Sequence, residues 1–250
     1  MRKWIVATLG VAALALAAGA FAITNGTPDG NGHPYVGALL APQAFSDGTW
    51  EECSGTLIAP KVFLTAEHCD EGLSRVNVTF DSNYNASTGT TYAGTWHGDP
   101  DYNQAQGDPH DIAVVVLDKA PKGITPARLP KLDQLDSLQV GDPIVSVGYG
   151  AQSVTQSQGG KVLNYADVRY VATGSVDSTT PVWLKASMNP AKGDGGTCYG
   201  DSGGPNFIGD TNIVGGTTIT GDMWCRATNV DYRVDTQVAR DFLGQFVTLP

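Results

Sequence analysis

Three side chains in this sequence could together break an acyl bond: a serine, a histidine and an aspartate. Ser202 lies in Cys198-Tyr199-Gly200-Asp201-Ser202-Gly203-Gly204-Pro205. Flanking glycines suit a tight turn that brings backbone N–H groups close to a reacting carbonyl, and such groups, aimed at a developing oxyanion, are a large source of catalytic stabilisation. His68, in Leu64-Thr65-Ala66-Glu67-His68-Cys69, is the candidate general base. Imidazole titrates near neutrality, so it can take a proton from a hydroxyl and return it to a leaving amine. Asp111 opens the apolar stretch Ile112-Ala113-Val114. From there it can accept a hydrogen bond from the imidazole, fix its tautomer and stabilise the imidazolium. Each residue has a plainer reading alone: a Gly-rich turn, a structural histidine, a turn aspartate. Together they point to nucleophilic catalysis.

The elements that must position them are strands. The chain has 250 residues, few charged ones and abundant Gly, Thr, Ser and Val, a composition that favours strands and turns over long helices. Short apolar runs separated by turn signals read as strands at Val36–Leu40, Gly55–Ile58, Val62–Thr65, Val76–Phe80 and Ile112–Leu117. A second set follows at Ile144–Val147, Lys161–Leu163, Tyr165–Val171, Val182–Leu184, Asn212–Val214 and Tyr232–Val234. Runs this short, without helical periodicity, imply a sandwich or barrel. Pro121, Pro126 and Pro130 mark a linker between the halves over 119–136, and the polar stretch 151–160 reads as a loop. Near the end, Asp235 is placed to cap a helix whose Val238, Phe242 and Phe246 repeat every four residues.

Residues 1–22 read as a signal peptide: Met1-Arg2-Lys3, an apolar run, then Ala20-Phe21-Ala22 as the cleavage site. An uncleaved membrane anchor is the alternative for so long a run. Loss of Arg2 and Lys3 takes the formal charge from −10 to −12. So acidic a chain is a poor partner for nucleic acid, which needs a basic face, and no membrane association is expected after cleavage. Export permits disulfides. Cys53, Cys69, Cys198 and Cys225 allow three pairings, and the absence of a C-x-x-C pair argues against zinc. No cofactor or metal is expected. Asn77 and Asn85 head glycosylation sequons. His33 and His97 fall outside the motifs and read as surface residues.

The motifs around Ser202, His68 and Asp111, in the order His–Asp–Ser, resemble those of the trypsin/chymotrypsin-like serine proteases, whose order differs from the subtilisin and α/β-hydrolase orders. Gly148-Tyr149-Gly150 resembles the family's Gly-Trp-Gly, and the resemblance spans essentially the whole chain after residue 22. It implies an all-β fold of two packed six-stranded antiparallel β-barrels with a C-terminal helix. The first barrel would cover 23–125 with His68 and Asp111, the second 126–250 with Ser202 and the helix. The implied activity is that of a secreted, monomeric serine endopeptidase acting on proteins or peptides and open to protein inhibitors. The N–H groups of Gly200 and Ser202 would form the oxyanion hole. Disulfides Cys53–Cys69 and Cys198–Cys225 are implied, and so sparse a set looks like that of a microbial secreted protease. Ile23-Thr24-Asn25-Gly26 resembles the family's amino-terminal Ile-x-x-Gly, so the α-amino group of Ile23 would pair with Asp201 once the leader is cut, making export the activation step.

The sequence departs from the family in three places. Glu67 replaces the usual alanine and is expected to face solvent. Gly196 stands where trypsin-like enzymes carry their basic-side-chain-binding aspartate, with Asp194 two residues away. Gly196, Thr218, Ile219 and Thr220 are therefore the expected pocket residues, selecting apolar or small side chains rather than Arg or Lys. Thr218 is also expected to hydrogen-bond Asp111. Asp70 and Glu71 occupy a segment where some relatives bind calcium, but their spacing is too thin for a metal. Two other readings compete: a non-catalytic binding module on the same fold, and a carbohydrate-binding β-sandwich with coincidental motifs.

Overall fold

The computed structural model describes residues 23–105 and 107–250, so the signal-peptide reading of 1–22 lies outside the described residues. Of the fifteen strands among the described residues, twelve form two closed six-stranded antiparallel barrels. The first is built from β2 (Val36–Leu40), β3 (Glu51–Ala59), β4 (Val62–Thr65), β5 (Arg75–Thr79), β6 (Tyr92–Gly98) and β7 (Ala113–Leu117). They close in the order β2-β3-β4-β7-β6-β5. Leu39, Leu57, Phe63, Val78, Val115 and Leu117 fill the interior.

The second barrel uses β8 (Pro143–Gly148), β11 (Tyr170–Thr179), β12 (Trp183–Ser187), β13 (Pro205–Ile208), β14 (Val214–Gly221) and β15 (Thr228–Arg233). Its ring runs β8-β11-β12-β15-β14-β13, closed by the β11–β8 pairing. Although it precedes the first barrel in sequence, β1 (Thr27–Pro28) pairs with β11. Residues 119–136 carry no strand, only the start of a 3-10 turn at Gln134–Ser137.

The barrels share one apolar cluster, with Val36, Leu64, Ile112 and Val114 on one side and Val147, Tyr149, Phe207 and Tyr232 on the other. Arg169 is fully buried there. Its guanidinium donates to Asp29, to the carbonyls of Gly30, Val36 and Phe80, and to the Tyr149 hydroxyl. A buried charge is tolerated when so completely paired. Burial pushes the Asp29 carboxyl up, but His33 and Arg169 outweigh this and hold it at about 2. His33, expected at the surface, is half-buried: it pairs with Asp29 and stacks on Phe207.

Three local expectations need correction. The stretch 151–160 is not a plain loop: β9 (Ser153–Ser157) and β10 (Gly160–Asn164) form a hairpin of their own. The strand read at Lys161–Leu163 is the middle of β10, whereas β9 holds a single apolar residue, Val154, so no apolar run announced it. The terminal helix, α1, is shorter than expected (Gln237–Leu243). Its N-cap is Thr236, whose Oγ1 accepts from the Ala239 amide. Asp235 instead takes two hydrogen bonds from Arg233 and one from the Leu135 amide. The buried face of α1 is Ala239, Phe242 and Leu243, while Val238 points outward.

Candidate active site

His68 stands on a 3-10 turn, Glu67–Cys69, that follows the wholly buried β4. The Cys53–Cys69 disulfide ties that turn to β3. Asp111 lies two residues before β7, which pairs with β4 in the register Thr65↔Ala113. Strand pairing therefore brings the aspartate to the histidine. The Asp111 carboxylate takes the His68 backbone N–H on Oδ1 at 2.9 Å and faces Nδ1 through Oδ2 at 2.8 Å. The imidazole is 28% exposed and the carboxylate 5%. This is a buried acceptor orienting an accessible ring, with Nε2 left for chemistry.

Ser202 is carried by the tight turn before β13. Its carbonyl accepts from the Ser54 amide, and the Gly203 amide donates to the Thr218 carbonyl. Gly203 has φ +75°, and a Cβ there would fall 2.2 Å from Thr65 Oγ1 and 2.6 Å from the Ala66 amide nitrogen. The serine turn thus packs directly on the segment leading into His68. Gly200, at φ +91°, makes the left-handed turn in the loop that leads into Ser202. Cys198–Cys225 braces the loop from behind.

Asp201 is fully buried. Its oxygens accept from the amides of Gly150 and Cys198, and Gly148 and Gly150 press so closely that neither could carry a Cβ. Burial pushes the Asp201 carboxyl up to about 7 despite those amides. Ile23 is buried as well, and Thr24 bridges to Gly196.

A cleft of about 130 Å³ opens beside Ser202, lined by Thr197, Cys198, Tyr199, Thr218, Ile219 and Thr220 among others. Three expected pocket residues are therefore there, and Gly196 is not. The Gly196 amide donates to the Thr24 carbonyl, and Met188 packs against its α-carbon. Asp194 is occupied by the Ser175 hydroxyl at 2.9 Å. Asp222 also lines the cleft. Burial pushes its carboxyl up, but the amides of Trp224, Arg226, Ala227 and Thr228 outweigh this and hold it low.

The expected Thr218–Asp111 hydrogen bond is replaced by another. Thr218 Oγ1 accepts from Asn206, within a buried network that also joins Asn229, Asp231, Ser146 and Thr197. Nothing in the sequence announced this network, because its members come from four strands and one loop. Glu67 does not face solvent either. Its carboxylate accepts from Trp96 Nε1 at 3.2 Å and lies against Gly98, leaving no room there for a Cβ. Burial, with the charges of Asp70, Asp111 and Asp99 nearby, pushes it up to about 7.

Among the described residues, Asp99, Asp101 and His110 bring one ligand atom each within 4.8 Å of one another. His110 Nδ1 already meets Asp99 at 3.2 Å and the Asp101 amide donates to Asp99, so these contacts account for the cluster as a loop brace. The pair Glu51 and Glu52, which opens β3, escaped the sequence reading; two adjacent carboxylates leading into a buried strand were the available signal.

The trypsin family model matches residues 24–243. The bacterial trypsin of Saccharopolyspora erythraea is 28% identical over 198 residues, covering 74% of this chain and 81% of that protein. Brachyurin of Leptuca pugilator is 30% identical over 221 residues, covering 82% and 92%. Among solved structures, human heparin binding protein superposes with a TM-score of 0.67 at 18% identity, over 91% of this chain and 99% of that one. HL collagenase superposes with the same TM-score at 21% identity, over 89% and 97%. Matched over nearly all of its described length, the chain belongs to the trypsin family of serine proteases.

Proposed function

We propose that the chain is a secreted serine endopeptidase that works through Ser202, His68 and Asp111. The observation that carries this reading is the two-point hold of Asp111 on His68, with the Ser202 turn packed against the same histidine segment. Ser202 Oγ attacks the scissile carbonyl while His68 Nε2 takes its proton; the N–H groups of Gly200 and Ser202 receive the oxyanion. His68 then hands the proton to the leaving amine, and an acyl-enzyme remains. Water, deprotonated by His68, releases the acid and restores the serine.

The cleft beside Ser202 favours a small or apolar side chain before the scissile bond. Its walls are Thr197, Thr218, Ile219 and Thr220, and its one acidic residue, Asp222, is engaged by four amides. The Ala20-Phe21-Ala22 site supports removal of the leader at Ile23 during export. The new α-amino group would then neutralise Asp201, a carboxylate buried without a cationic partner among the described residues.

A fluorophosphonate probe tests the assignment. One adduct on the secreted protein and none on Ser202→Ala, with peptide hydrolysis lost in the same variant, is the expected result. No adduct on a folded chain starting at Ile23 would favour a binding module on the same fold.

A further inference from the structure

A second cleft, of about 260 Å³, lies on the opposite flank of the oxyanion loop. Tyr199 and Ser202 line the first cleft, whereas Gly200 lines the second, together with Phe45, Asp47, Glu51, Glu52 and Tyr165. Glu51 is only 4% exposed, yet neither of its carboxylate oxygens has a hydrogen-bond partner among the described residues. Both oxygens press on Gly200, where a Cβ would stand 3.0 Å from each. Leaving a buried carboxyl unsatisfied is costly, and such groups in native proteins call for an explanation.

The surroundings make the shortage worse. Burial raises the Glu51 carboxyl well above its ordinary range, helped by Asp201, Asp167 and Glu52. Glu52 is half-buried and pushed up to about 8, by burial and then by a hydrogen bond to the Glu71 carboxyl. Asp47 lies on the rim. Among the described residues no Lys, Arg or His lines this cleft; Lys161 instead sits over the Tyr199 ring at 3.6 Å. The three acidic residues of the cleft therefore lack a counter-charge in its lining.

Its position follows from the covalent path through the site. Glu52 precedes Cys53, Cys53 is bonded to Cys69, and Cys69 follows His68, the residue that delivers a proton to the departing amine. With the acyl side chain in the first cleft, the amine half of the substrate leaves past the disulfide toward the second. We propose that this second cleft binds an arginine or lysine side chain from the first two residues after the scissile bond, with Glu51 as its floor and Glu52 as its wall. A guanidinium would satisfy both orphan oxygens in bidentate fashion and supply the missing charge. The proposal rests on the endopeptidase reading above.

Acyl transfer isolates the second cleft, because the acyl half is constant. The secreted enzyme is loaded from one small apolar acyl ester, and partition between water and added nucleophile is measured with Arg-Ala-amide, Ala-Arg-amide, Ala-Leu-amide and Ala-Glu-amide. The expected result is at least about a tenfold preference for one arginine nucleophile over the leucine one, with the glutamate nucleophile poorest. Glu51→Gln should cut that preference several-fold, as should Glu52→Gln at its half-buried position, and the double variant should erase it. Partition ratios do not depend on how fast each variant acylates, so a general structural defect would leave them unmoved. Equal partition of all four nucleophiles, or a preference that survives in the double variant, would overturn the proposal while leaving the endopeptidase intact. Failure to acylate at all would overturn the endopeptidase reading, and this inference with it.

Discussion

Asp111 grips His68 at two points, one carboxylate oxygen on the backbone N–H at 2.9 Å and the other facing Nδ1 at 2.8 Å. A single acceptor thus sets both the position of the turn and the tautomer of the ring. Asp111→Asn keeps the shape but presents an amide that can donate to Nδ1, favouring the wrong tautomer. We expect kcat to fall on the order of 10⁴-fold. A pH–rate profile on a peptide substrate checks it, since part of the loss should be recovered at high pH.

Glu67 gives the fold a pH dependence of defined sign. Burial pushes its carboxyl up to about 7 in the native chain, from 4.5 when free. Between those values the native state holds a proton that the unfolded state has lost. Its contribution is therefore fully present below about pH 4.5 and is lost as pH rises toward 7. Glu67→Gln should flatten this limb, seen as a smaller drop in melting temperature between pH 4.5 and 7.

Gly203 has the least room of the three glycines around Ser202. Gly203→Ala would set a methyl group 2.2 Å from Thr65 Oγ1 at a positive φ. We expect a loss of at least about 2 kcal/mol in stability and an activity deficit larger than that of an equally destabilised variant elsewhere. Urea denaturation and probe labelling rate, measured on the same sample, separate the two effects.

The state of the amino terminus should control Asp201. A chain beginning at Ile23 should be active, and one carrying a single extra residue should be slower by about 10²-fold or more, the scale of losing an oxyanion donor. Asp201→Asn should be slow in both forms. Mass spectrometry of the secreted chain, paired with burst titration, gives the comparison.

Ile219 and Thr220 line the first cleft. Ile219→Ala should raise kcat/KM for a larger apolar side chain before the scissile bond relative to a small one. Removing three methyl-sized groups shifts such preferences by about 1–3 kcal/mol per methylene at most, so a change of tenfold or more in the ratio is expected from a matched substrate pair.

How much of this was legible in the sequence depended on whether the signal was local. Ser202, His68 and Asp111 sit in contiguous motifs, and the chain brings His68 and Asp111 together through the pairing of β4 with β7. Strands carrying apolar runs, such as β2, β4 and β7, were legible by period and length. Strand β6 was not, because Tyr92-Ala93-Gly94-Thr95-Trp96-His97-Gly98 contains no such run. Strand β13 was hidden beneath the serine motif. The misreadings of Glu67 and Thr218 share one cause: their partners Trp96 and Asn206 lie on other strands, 29 and 12 positions away, and no local pattern names them. Glu51 is of the same kind, since its meaning depends on Gly200 lying 149 positions later.

The two ends of the described chain each lie against the barrel formed by the other half. Residues 24–28 bridge to Gly196 and pair with β11, while Phe246, just past α1, rests its ring on His97 of the first barrel. The first barrel therefore meets a residue encoded after every strand of the second. The leading segment equally pairs with a strand encoded about 140 residues later. Each barrel is thus held in part by a segment encoded beyond the other, so the two halves are tied together at both ends of the described chain.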